Sequence, residues 1–494
     1  MKLSDLLTSL IYDIVQGTEE TEAGKVTNDT RDIEPGDVFV CIEGAVKDGH
    51  MFAREAIEKG AAVLVVQEVK KIQKTAADFP RVTIVKVTDS RYALAMMSAV
   101  YYGNPADHMK IIGVTGTKGK TTTACMIHRL LVAAGQKAGL IGTIRVDTGA
   151  AIYRNHNTTP ESCQIHAYLK EMKDAGCEVA VMEVSSQGLK LQRTAGILFE
   201  AGIFTNLGKD HIGPGEHADF EEYKQCKHLL FTQCKYGIGN IDDPFYEEMF
   251  ERTDCTRITY GLDKSADERA QNVRRIKGRG FLGICYEARG LTDCQIELAM
   301  PGKFNIYNSL AAVTVLHLLG VPDRVITNEF PKIKVPGRME CVEGLTDCSV
   351  FVDYAHNAMS LRSILMTVRE YEAGRIVVVF GCGGSRSKER RFEMGETAGR
   401  YGDFIVITTD NPRYEDPLQI IQDIITGINR TRGAYIAIPD RRSAIRYAIE
   451  HREPQDVIII AGKGHETYQE IGGVRYGMDD RTMVLEAIEA VKNR

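Results

Sequence analysis

A glycine-rich stretch, KIIGVTGTKGKTTT at residues 110–123, limits the possible folds of this chain more than any other segment. Its apolar start suits a short, buried parallel strand. Gly113, Gly116 and Gly119 then allow a tight turn before a helix begins. Backbone N–H groups in such a turn bind phosphate oxygens, and the positive end of the helix dipole strengthens this binding. The stretch therefore predicts a site for a nucleoside triphosphate.

The same stretch ends with the residue pair that phosphate-binding loops use. Lys120 places a positive charge beside the β- and γ-phosphates, and Thr121 offers a hydroxyl to Mg²⁺. The spacer is one residue longer than in the pattern G-x-x-x-x-G-K-[ST]. We reject a turn without a ligand, because the glycines, the Lys-Thr pair and the strand-to-helix context would all have to coincide. The candidate ATP-binding residues of the loop are Gly116, Thr117, Lys118, Gly119, Lys120, Thr121 and Thr122.

Length and composition limit what else the chain can be. Its 494 residues suggest about three domains of ~150 residues each. A formal net charge of −6 gives no electrostatic footprint for nucleic acid, so we expect no such partner. The 12 cysteines without a CxxC pair, the lack of a signal pattern and the lack of a membrane-spanning apolar run predict a reduced, cytoplasmic protein. We expect a monomer that contacts no membrane.

Apolar runs that alternate with helical patterns predict an α/β protein of three domains. We place a small α/β domain at 1–107, a central ATPase domain with a mostly parallel sheet at 108–333, and a Rossmann-like domain at 334–494. In the last domain, strands are indicated by the runs SVFVDYA, RIVVVFGCGG, DFIVITTDNP, AYIAIPD and DVIIIAGKGH. An amphipathic helix follows each of the first four. Ligand loops should lie at the carboxyl ends of these strands.

Two strand ends near the glycine-rich loop carry polar residues suited to a metal. MEVSSQG ends one strand with Glu183, a hard oxygen ligand of the kind that Mg²⁺ prefers. FTNLGKDHIGPGEH ends the next with Asp210, His211 and His217. A single glutamate or histidine at a strand end is more often solvated or packed than bound to a metal. With both strand ends beside a phosphate loop, metal binding and a structural role remain equally open.

A series of motifs along essentially the whole chain resembles the Mur ligase family, the ATP-dependent amino-acid ligases of peptidoglycan precursor synthesis, and within it the tripeptide synthetases. The motifs are GVTGTKGKTTT, NTTPES, MEVSS, FTNL-x-x-DH, YKQCKHLLF, GKFNIYN, VPGRME, VDYAH, FGCGGSR, DNPR and GKGHE, in that order. Such an ordered series is very hard to obtain by chance. The resemblance implies a nucleotide-sugar-binding N-terminal domain, a central ATPase domain and a C-terminal domain that closes over the site.

The resemblance also implies roles for individual residues of the central domain. Thr121 and Glu183 match ligands of a Mg²⁺ ion at the ATP site, and His211 matches a ligand of a second Mg²⁺. Lys227 matches the lysine that the family carbamylates, which converts an ammonium into a carboxylate that can lie beside Mg²⁺. The implied catalytic residues are Lys120, Glu183, His211 and Lys227. The positions that match contacts to adenine, ribose and phosphate are Asn305, Asn308, Arg338, Asp353, Tyr354 and His356.

The C-terminal domain is implied to select the incoming amino acid. The positions that match contacts to meso-diaminopimelate are Arg386, Asp410, Asn411, Arg413, Gly462 and Glu466. An arginine fork can bind a carboxylate through two parallel hydrogen bonds, and Glu466 can pair with the distal ammonium group. Lysine lacks the distal carboxylate, so Arg413 of the DNPR motif favours diaminopimelate. The alternative is that this arginine is only a surface charge.

The implied reaction is the ATP-dependent formation of a carbon–nitrogen bond between two small molecules. ATP phosphorylates the D-glutamyl carboxylate of UDP-N-acetylmuramoyl-L-alanyl-D-glutamate, and the diaminopimelate amine then attacks the acyl phosphate. Two Mg²⁺ ions and Lys120 would neutralise charge on the transferring phosphoryl group. The candidates for holding the acceptor are Asn157, Thr158, Thr159, Ser185 and Arg193, with Thr30 and Arg31 at the UDP end.

Several positions depart from the family pattern, and most lie on the nucleotide-sugar side. They are Ala45, Val46, Gln187, Gly213 to Glu216, Asn357 to Met359, Ser385 and Ser387. These departures leave two alternatives open: an amide ligase that acts on a different carboxylate acceptor, or a catalytically silent nucleotide-binding descendant. The second alternative conflicts with the presence of Lys120, Thr121, Glu183, His211 and Lys227, which a silent descendant would be free to lose.

Overall fold

The structure is a computed structural model that describes residues 1–44, 47–155, 157–213, 215–278, 280–372 and 374–493. Three of the departures named above, Ala45, Val46 and Pro214, lie outside the described residues. The chain forms two compact units. One comprises Met1–Asp267 and Thr314–Val321, and the other comprises Glu268–Val313 and Pro322–Arg494.

The first unit contains two sheets with helices between their strands. Its strands are β1 Tyr12–Gln16, β2 Val26–Thr27, β3 Val38–Val40, β4 Val63–Val66, β5 Thr83–Val87, β6 Lys110–Thr115, β7 Ala138–Ile141, β8 Val146–Asp147, β9 Ile152–Tyr153, β10 Val179–Glu183, β11 Phe199–Phe204, β12 Cys234–Asn240 and β13 Thr256–Gly261. Its helices are α1 Leu3–Leu6, α2 Ala53–Glu58, α3 Gln73–Asp78, α4 Ser90–Tyr101, α5 Lys120–Ala133, α6 Ser162–Asp174, α7 Ser186–Lys190, α8 Phe220–His228 and α9 Tyr246–Met249.

Both sheets of this unit are mostly parallel. The N-terminal sheet has the order β1-β5-β4-β3-β2, in which only β1 is antiparallel to its neighbour. In the second sheet the order is β13-β12-β11-β6-β10-β7-β8-β9, parallel from β13 to β7. Because β6 lies between β10 and β11, the loops that follow these three strands emerge at the same edge of the sheet.

Gly113 does not belong to the tight turn that the glycine-rich stretch predicts. It lies inside β6, opposite Met182 of β10 and Gly202 of β11. A Cβ at this position would lie 2.9 Å from the ring of Phe199 and 3.0 Å from Leu230. Gly113 therefore permits close packing of the strand, and the turn begins only after β6.

The second unit contains an antiparallel group of strands, a six-stranded sheet and a hairpin. Its strands are β14 Glu268–Gly278, β15 Phe281–Gly290, β16 Asp293–Leu298, β17 Glu340–Cys341, β18 Ser349–Asp353, β19 Ile376–Phe380, β20 Phe404–Ile407, β21 Ala434–Ala437, β22 Val457–Ala461, β23 Tyr468–Ile471 and β24 Val474–Gly477. The helices are α10 Lys303–Leu318, α11 Asp323–Glu329, α12 Ala358–Arg369, α13 Lys388–Tyr401, α14 Pro417–Ile428, α15 Arg441–Glu450 and α16 Asp480–Lys492.

The six-stranded sheet is doubly wound, as the sequence predicts. Its order is β17-β18-β22-β19-β20-β21, and only β17 is antiparallel to its neighbour. Helices α15 and α16 pack on one face against alternate strand residues such as Val352 and Ile460. The chain reverses its direction across the sheet after β21, so right-handed connections place α12, α13 and α14 on the other face.

The sequence patterns predicted the buried strands better than the exposed ones. The five strands expected after residue 334 are present as β18 to β22, and helices α12 to α15 follow the first four. The edge strand β1 and the hairpin of β23 and β24 were missed. Their residues are mostly exposed or half-buried, so they lack the apolar run on which strand prediction depends. In the described part of the chain, every helix is too short or too polar to cross a membrane.

The ion pair between Arg441 and Asp480 joins the starts of α15 and α16 in the core of the second unit. Both side chains are fully buried, and Arg441 Nη2 lies 2.7 Å from Asp480 Oδ2. Asp480→Ala leaves the buried guanidinium uncompensated, so we expect it to lower the free energy of unfolding by about 3–5 kcal/mol in denaturant titrations. The control is Glu486→Ala, which removes the exposed partner of Arg442 on the same two helices. Equal losses in the two variants would contradict a special role for the buried pair.

Candidate functional site

The glycine-rich loop joins β6 to α5, and its backbone geometry requires glycine at two positions. Gly116 has φ of +144° and Gly119 has φ of +92°, values that side chains rarely allow. A Cβ on Gly116 would lie 1.9 Å from Thr205 Oγ1 and 3.0 Å from the carbonyl oxygen of Asn206. The loop therefore lies directly against the residues that follow β11.

Side chains from two other segments hold this loop in place. Thr205 Oγ1 donates to the carbonyl oxygen of Lys118 at 2.7 Å, and Asn206 Nδ2 donates to the same oxygen at 2.9 Å. Asn206 Oδ1 accepts the Lys118 N–H at 3.0 Å. Thr117 Oγ1 lies 3.1 Å from the hydroxyl of Tyr223 on α8. Contacts within the protein thus fix the conformation of the loop without a ligand.

Two ammonium groups converge on the carbonyl oxygen of Gly116. Lys120 Nζ donates to it at 2.7 Å and Lys227 Nζ at 2.9 Å. Lys227 lies on α8, is 1% exposed, and has its Nζ 4.5 Å from the centre of the Tyr223 ring. Burial, together with the charge of Lys120, lowers the pKa of Lys227 well below its ordinary value. A larger fraction of this amine is therefore neutral than in an exposed lysine.

Glu183 ends β10 and is 1% exposed, and donors from two segments hold its carboxylate. Thr121 Oγ1 donates to Oε2 at 2.8 Å, the Thr143 N–H donates to Oε1 at 2.7 Å, and Thr143 Oγ1 donates to Oε2 at 3.0 Å. Among the described residues, no three His, Cys, Asp or Glu side chains are grouped to hold a metal. The Thr121–Glu183 pair fits Mg²⁺, which takes few protein ligands and completes its coordination with phosphate oxygens and water.

The two histidines after β11 have different environments. His211 has φ of +54°, its side chain is half exposed, and its Nδ1 lies 3.0 Å from Glu216 Oε1. His217 is fully buried, its Nε2 lies 2.9 Å from Ser186 Oγ, and burial lowers its pKa. The assignment of His211 as a metal ligand stays a prediction, because its described partner is a carboxylate of its own loop.

Most of the residues predicted to hold the acceptor lie together beside Glu183. Thr159 is fully buried, and its Oγ1 donates to the Glu183 carbonyl oxygen at 2.9 Å. The N–H of Ser185 donates to Thr159 Oγ1 at 2.9 Å, and Arg193 Nη1 donates to the Thr159 carbonyl oxygen at 2.9 Å. Thr158 precedes Thr159 and is half-buried. The structure thus brings these four predicted residues into one group.

The remaining acceptor candidates have other surroundings. Asn157 is exposed. Thr30 Oγ1 donates to Glu55 Oε1 at 2.9 Å. Arg31 has an exposed side chain that pairs with Asp29. Their assignments to the acceptor stay predictions.

In the second unit, Asp353 forms the centre of the residues predicted to contact the nucleotide. It ends β18 and accepts the N–H groups of Met339 and Ala355, each at 2.7 Å. Burial raises the pKa of Asp353, although the charge of Arg338 acts in the opposite direction. The Arg338 guanidinium lies 4.9 Å from the centre of the Tyr354 ring. Three predicted residues therefore lie close together at the end of β18.

The other nucleotide candidates of this unit are well ordered by hydrogen bonds. His356 Nδ1 lies 2.8 Å from the Tyr354 carbonyl oxygen, which adds it to the group at β18. Asn305 and Asn308 are buried on α10, where Asn308 Nδ2 donates to Asn305 Oδ1 at 3.1 Å. Asn305 Nδ2 donates to the Pro301 carbonyl oxygen at 2.8 Å.

Four of the residues predicted to bind the amino acid form a buried polar group after β20 and β22. Asn411 Nδ2 donates to Glu466 Oε2 at 3.0 Å. Gly462 has φ of +114°, and a Cβ there would lie 2.6 Å from Asp410 Oδ2. Burial raises the pKa of Asp410. The carboxyl ends of these two strands therefore carry two carboxyl groups and an amide in close packing.

The two predicted arginines lie on loops that follow the adjacent strands β19 and β20. Arg413 has φ of +54°, and its Nη1 donates to the Gly384 carbonyl oxygen at 2.5 Å. The N–H of Gly384 donates to the Asn411 carbonyl oxygen at 2.9 Å, so the two loops are directly linked. Arg386 lies two residues after Gly384 and is exposed. This arrangement places both guanidinium-bearing loops at one edge of the sheet.

Comparison with known proteins identifies the family. Three family models match: "Mur ligase family, catalytic domain" at residues 24–102, "Mur ligase middle domain" at 114–316, and "Mur ligase, glutamate ligase domain" at 337–464. The chain is 41% identical to the UDP-N-acetylmuramoyl-L-alanyl-D-glutamate–2,6-diaminopimelate ligase of Clostridium botulinum, over 99% of this chain and 100% of that one. The chain belongs to the Mur ligase family.

Further relatives of this Mur ligase agree with that result. The Geobacillus thermodenitrificans enzyme of the same name is 38% identical over 99% of both chains. A solved structure of a UDP-N-acetylmuramoyl-L-alanyl-D-glutamate–2,6-diaminopimelate ligase matches with a TM-score of 0.70 and 27% identity, over 100% of this chain and 99% of that one. The fold is shared with Mycobacterium tuberculosis folylpolyglutamate synthase, which is 18% identical. That structure matches with a TM-score of 0.59, over 82% of this chain and 95% of that one. The resemblance and the α/β fold class are confirmed.

Sequence reasoning missed three residues that hold the site of this Mur ligase together. Thr143 bonds twice to Glu183, and Tyr223 contacts both Thr117 and Lys227. Lys463 is completely buried next to the amino-acid candidates. Thr143 follows strand β7 and Lys463 follows β22, so their place at strand ends was the available signal. Tyr223 lies on a helix, and its sequence context carries no such signal.

Gly116 tests the loop geometry directly. Gly116→Ala places a methyl group against Thr205, so the loop must move, and we expect the affinity for ATP to fall at least about 10-fold. The control is Gly208→Ala in the neighbouring loop, where an added Cβ meets nothing within 4 Å. ATP affinity is measured by equilibrium titration with both variants folded. Unchanged affinity in Gly116→Ala would show that the nucleotide does not depend on this turn.

Proposed function

We propose that this Mur ligase joins meso-diaminopimelate to UDP-N-acetylmuramoyl-L-alanyl-D-glutamate, in an ATP-dependent reaction that passes through an acyl phosphate. The observation that carries the proposal is the identity of 41% and 38% to diaminopimelate ligases over 99% of this chain. The proposed enzyme serves peptidoglycan and hence cell-wall synthesis, acts on small molecules in the cytoplasm, and is a monomer. We retain 1–107, 108–333 and 334–494 as the proposed acceptor, ATPase and amino-acid domains.

The nucleotide is assigned to the glycine-rich loop and to the group at β18. N–H groups of the loop and the start of α5 would hold the triphosphate, with Lys120 as a counter-charge. The proposed contacts for adenine and ribose are Asn305, Asn308, Arg338, Asp353, Tyr354 and His356. A guanidinium stacked on a tyrosine ring, as at Arg338 and Tyr354, presents a flat cationic surface to a base or a phosphate.

Mg²⁺ is assigned to the residues around Glu183. Thr121 and Glu183 would hold one ion, and His211 with carbamylated Lys227 would hold a second. When bound, Mg²⁺ neutralises charge on the phosphoryl group in transfer. The lowered pKa of Lys227 supports the carbamate, because only the neutral amine adds to CO₂. In that reaction the nitrogen bonds to the carbon of CO₂, and a proton is released to solvent.

The chemistry itself requires positioning more than specialised groups. An oxygen of the D-glutamyl carboxylate attacks the γ-phosphorus, and ADP leaves. The neutral amine of diaminopimelate then attacks the carbonyl carbon of the acyl phosphate, phosphate leaves, and the new amide nitrogen loses a proton.

Thr159, Ser185 and Arg193 would orient the acceptor, and Asn157, Thr158, Thr30 and Arg31 are its further proposed contacts. Gln187 Nε2 is buried without a hydrogen-bond partner in the described residues, so it could donate a hydrogen bond to an oxygen atom of the UDP-linked substrate.

The choice of amine is assigned to the loops after β19, β20 and β22. Arg386 and Arg413 would bind the distal carboxylate of diaminopimelate, and Glu466 would bind its distal ammonium. Asp410, Asn411 and Gly462 are the further proposed contacts of the same amino-acid site. Lysine would leave the two guanidinium groups without a carboxylate. A site built to bind a polar group rejects an analogue that lacks it far more strongly than an apolar pocket can.

Phosphate release tests the proposal. Purified protein with ATP, Mg²⁺ and the UDP-linked dipeptide should release phosphate when meso-diaminopimelate is added, and at least about 100-fold more slowly with lysine. Equal rates with the two amines, or no release, would refute the assignment. Faster turnover with an acceptor that lacks UDP would instead favour a ligase for another carboxylate. Release that needs neither acceptor nor amine would favour the silent descendant.

Lys227 tests the role of the carbamate. Lys227→Ala removes the group proposed to carry it, so we expect activity to fall at least about 100-fold and to return in part with added acetate or bicarbonate. The control is Lys224→Ala one turn earlier on α8, whose ion pairs with Glu221 and Glu248 lie at the surface. Lys224→Ala should keep full activity and gain nothing from acetate. Full activity of Lys227→Ala without any additive would count against the carbamate.

A further inference from the structure

Lys463 is a buried cation to which the proposed reaction gives no role. It follows β22 in the motif GKGHE, and its side chain is 0% exposed. Its Nζ lies 3.0 Å from Asn411 Oδ1, 3.2 Å from Glu466 Oε2 and 5.2 Å from the centre of the Tyr468 ring. Burying a charge is costly unless it is paired, so the partners of Lys463 indicate its function.

The ammonium of Lys463 and the N–H of Glu470 together determine which end of the Asn411 amide faces Glu466. Asn411 Oδ1 accepts from Lys463 Nζ and from the N–H of Glu470, each at 3.0 Å. The amino group Nδ2 is thereby turned toward Glu466 Oε2, to which it donates at 3.0 Å. The flipped amide would place Nδ2 against two donors, which cannot form a hydrogen bond. Lys463 therefore helps to fix the orientation of a predicted substrate contact, and it is the one of the two donors that a side-chain substitution can remove.

The same contacts give the two carboxylate oxygens of Glu466 different hydrogen-bonding environments. Oε2 accepts from both Asn411 and Lys463. Oε1 lies 3.5 Å from the Tyr354 hydroxyl, a distance at the limit of a hydrogen bond, and the described residues offer it no closer donor. A carboxylate oxygen can accept more than one hydrogen bond. Oε1 is therefore the oxygen that has capacity for an incoming ammonium group.

We propose that Lys463 is a positioning residue for the incoming diamino acid. It holds Asn411 and Glu466, which come from two different loops, so that Glu466 Oε1 meets the distal ammonium of the substrate. Lys463 itself does not touch the amino acid. Its loss should therefore weaken binding of the amine, while binding of ATP and of the UDP-linked acceptor stays as it is. This inference rests on the proposed function, because it deepens the assignment of that same site.

The test compares Lys463→Met with Lys463→Arg. The methionine keeps the unbranched shape and most of the length of the side chain and removes its charge, so the KM for meso-diaminopimelate should rise about 30-fold, as for truncation of one partner of a buried charge pair. The KM values for ATP and for the acceptor should stay within about twofold of the wild type. Lys463→Arg retains a charged donor and should recover most of the loss, which a role in packing alone does not predict.

Arg375→Met is the matched control. Arg375 pairs with the 1% exposed Asp456 at 2.8 Å, at the opposite end of the same sheet. This variant should lower the melting temperature and leave the KM for diaminopimelate unchanged. If Lys463→Met does not fold, Lys463→Gln, which is uncharged and one atom shorter, is compared with Lys463→Arg. A higher KM for the amine in the glutamine variant supports the proposal, and equal values overturn it.

Two further outcomes separate this inference from the proposed function. A Lys463→Met enzyme with an unchanged KM for diaminopimelate overturns the positioning role, as does a parallel change in kcat and in all three KM values. A wild-type protein that shows no diaminopimelate-dependent phosphate release refutes the proposed function instead.

Discussion

The carbonyl oxygen of Gly116 is the point on which the candidate phosphate site depends. Lys120 and Lys227 both donate to it, and their mutual repulsion adds to burial in lowering the pKa of Lys227. Phosphate oxygens would give Lys120 a stronger counter-charge than one carbonyl dipole can. The turn makes this arrangement possible, because any side chain at Gly116 would collide with Thr205. Gly116 therefore supplies both the turn of the loop and the carbonyl oxygen that the two lysines contact.

The order of the strands explains why distant parts of the sequence meet at this loop. Strand β6 lies between β10 and β11, so Glu183 at the end of β10 and Thr205 after β11 emerge at the same edge. Burial of the Glu183 carboxylate is tolerated because Thr121 and Thr143 supply three hydrogen bonds to it. A Mg²⁺ ion at Thr121 would complement the same charge.

The predictable part of the site lies at strand ends, and the unpredictable part lies on helices and in buried ion pairs. An apolar run followed by a polar motif indicated Glu183 and the loop at Gly116 directly from the sequence, and the family resemblance added the DNPR loop. Lys227 carries no such signal, since a lysine on a short helix is usually solvated and only the fold brings it to Gly116, 111 residues away. The buried position of Lys463 likewise depends on how the loops after β20 and β22 pack.

The polar groups of the second unit restrict the amine more tightly than any one of them does alone. In the proposed amino-acid site, Lys463 and Asn411 occupy Glu466 Oε2 and leave Oε1 for a cation, while Arg386 and Arg413 on the neighbouring loops would bind an anion. A ligand with only a distal ammonium would satisfy Glu466 and offer the arginines no substrate carboxylate. A ligand with only a distal carboxylate would do the reverse. An amino acid that bears both groups on one distal carbon would pair with all of them, so the proposed selectivity for diaminopimelate would follow from the combination of charges.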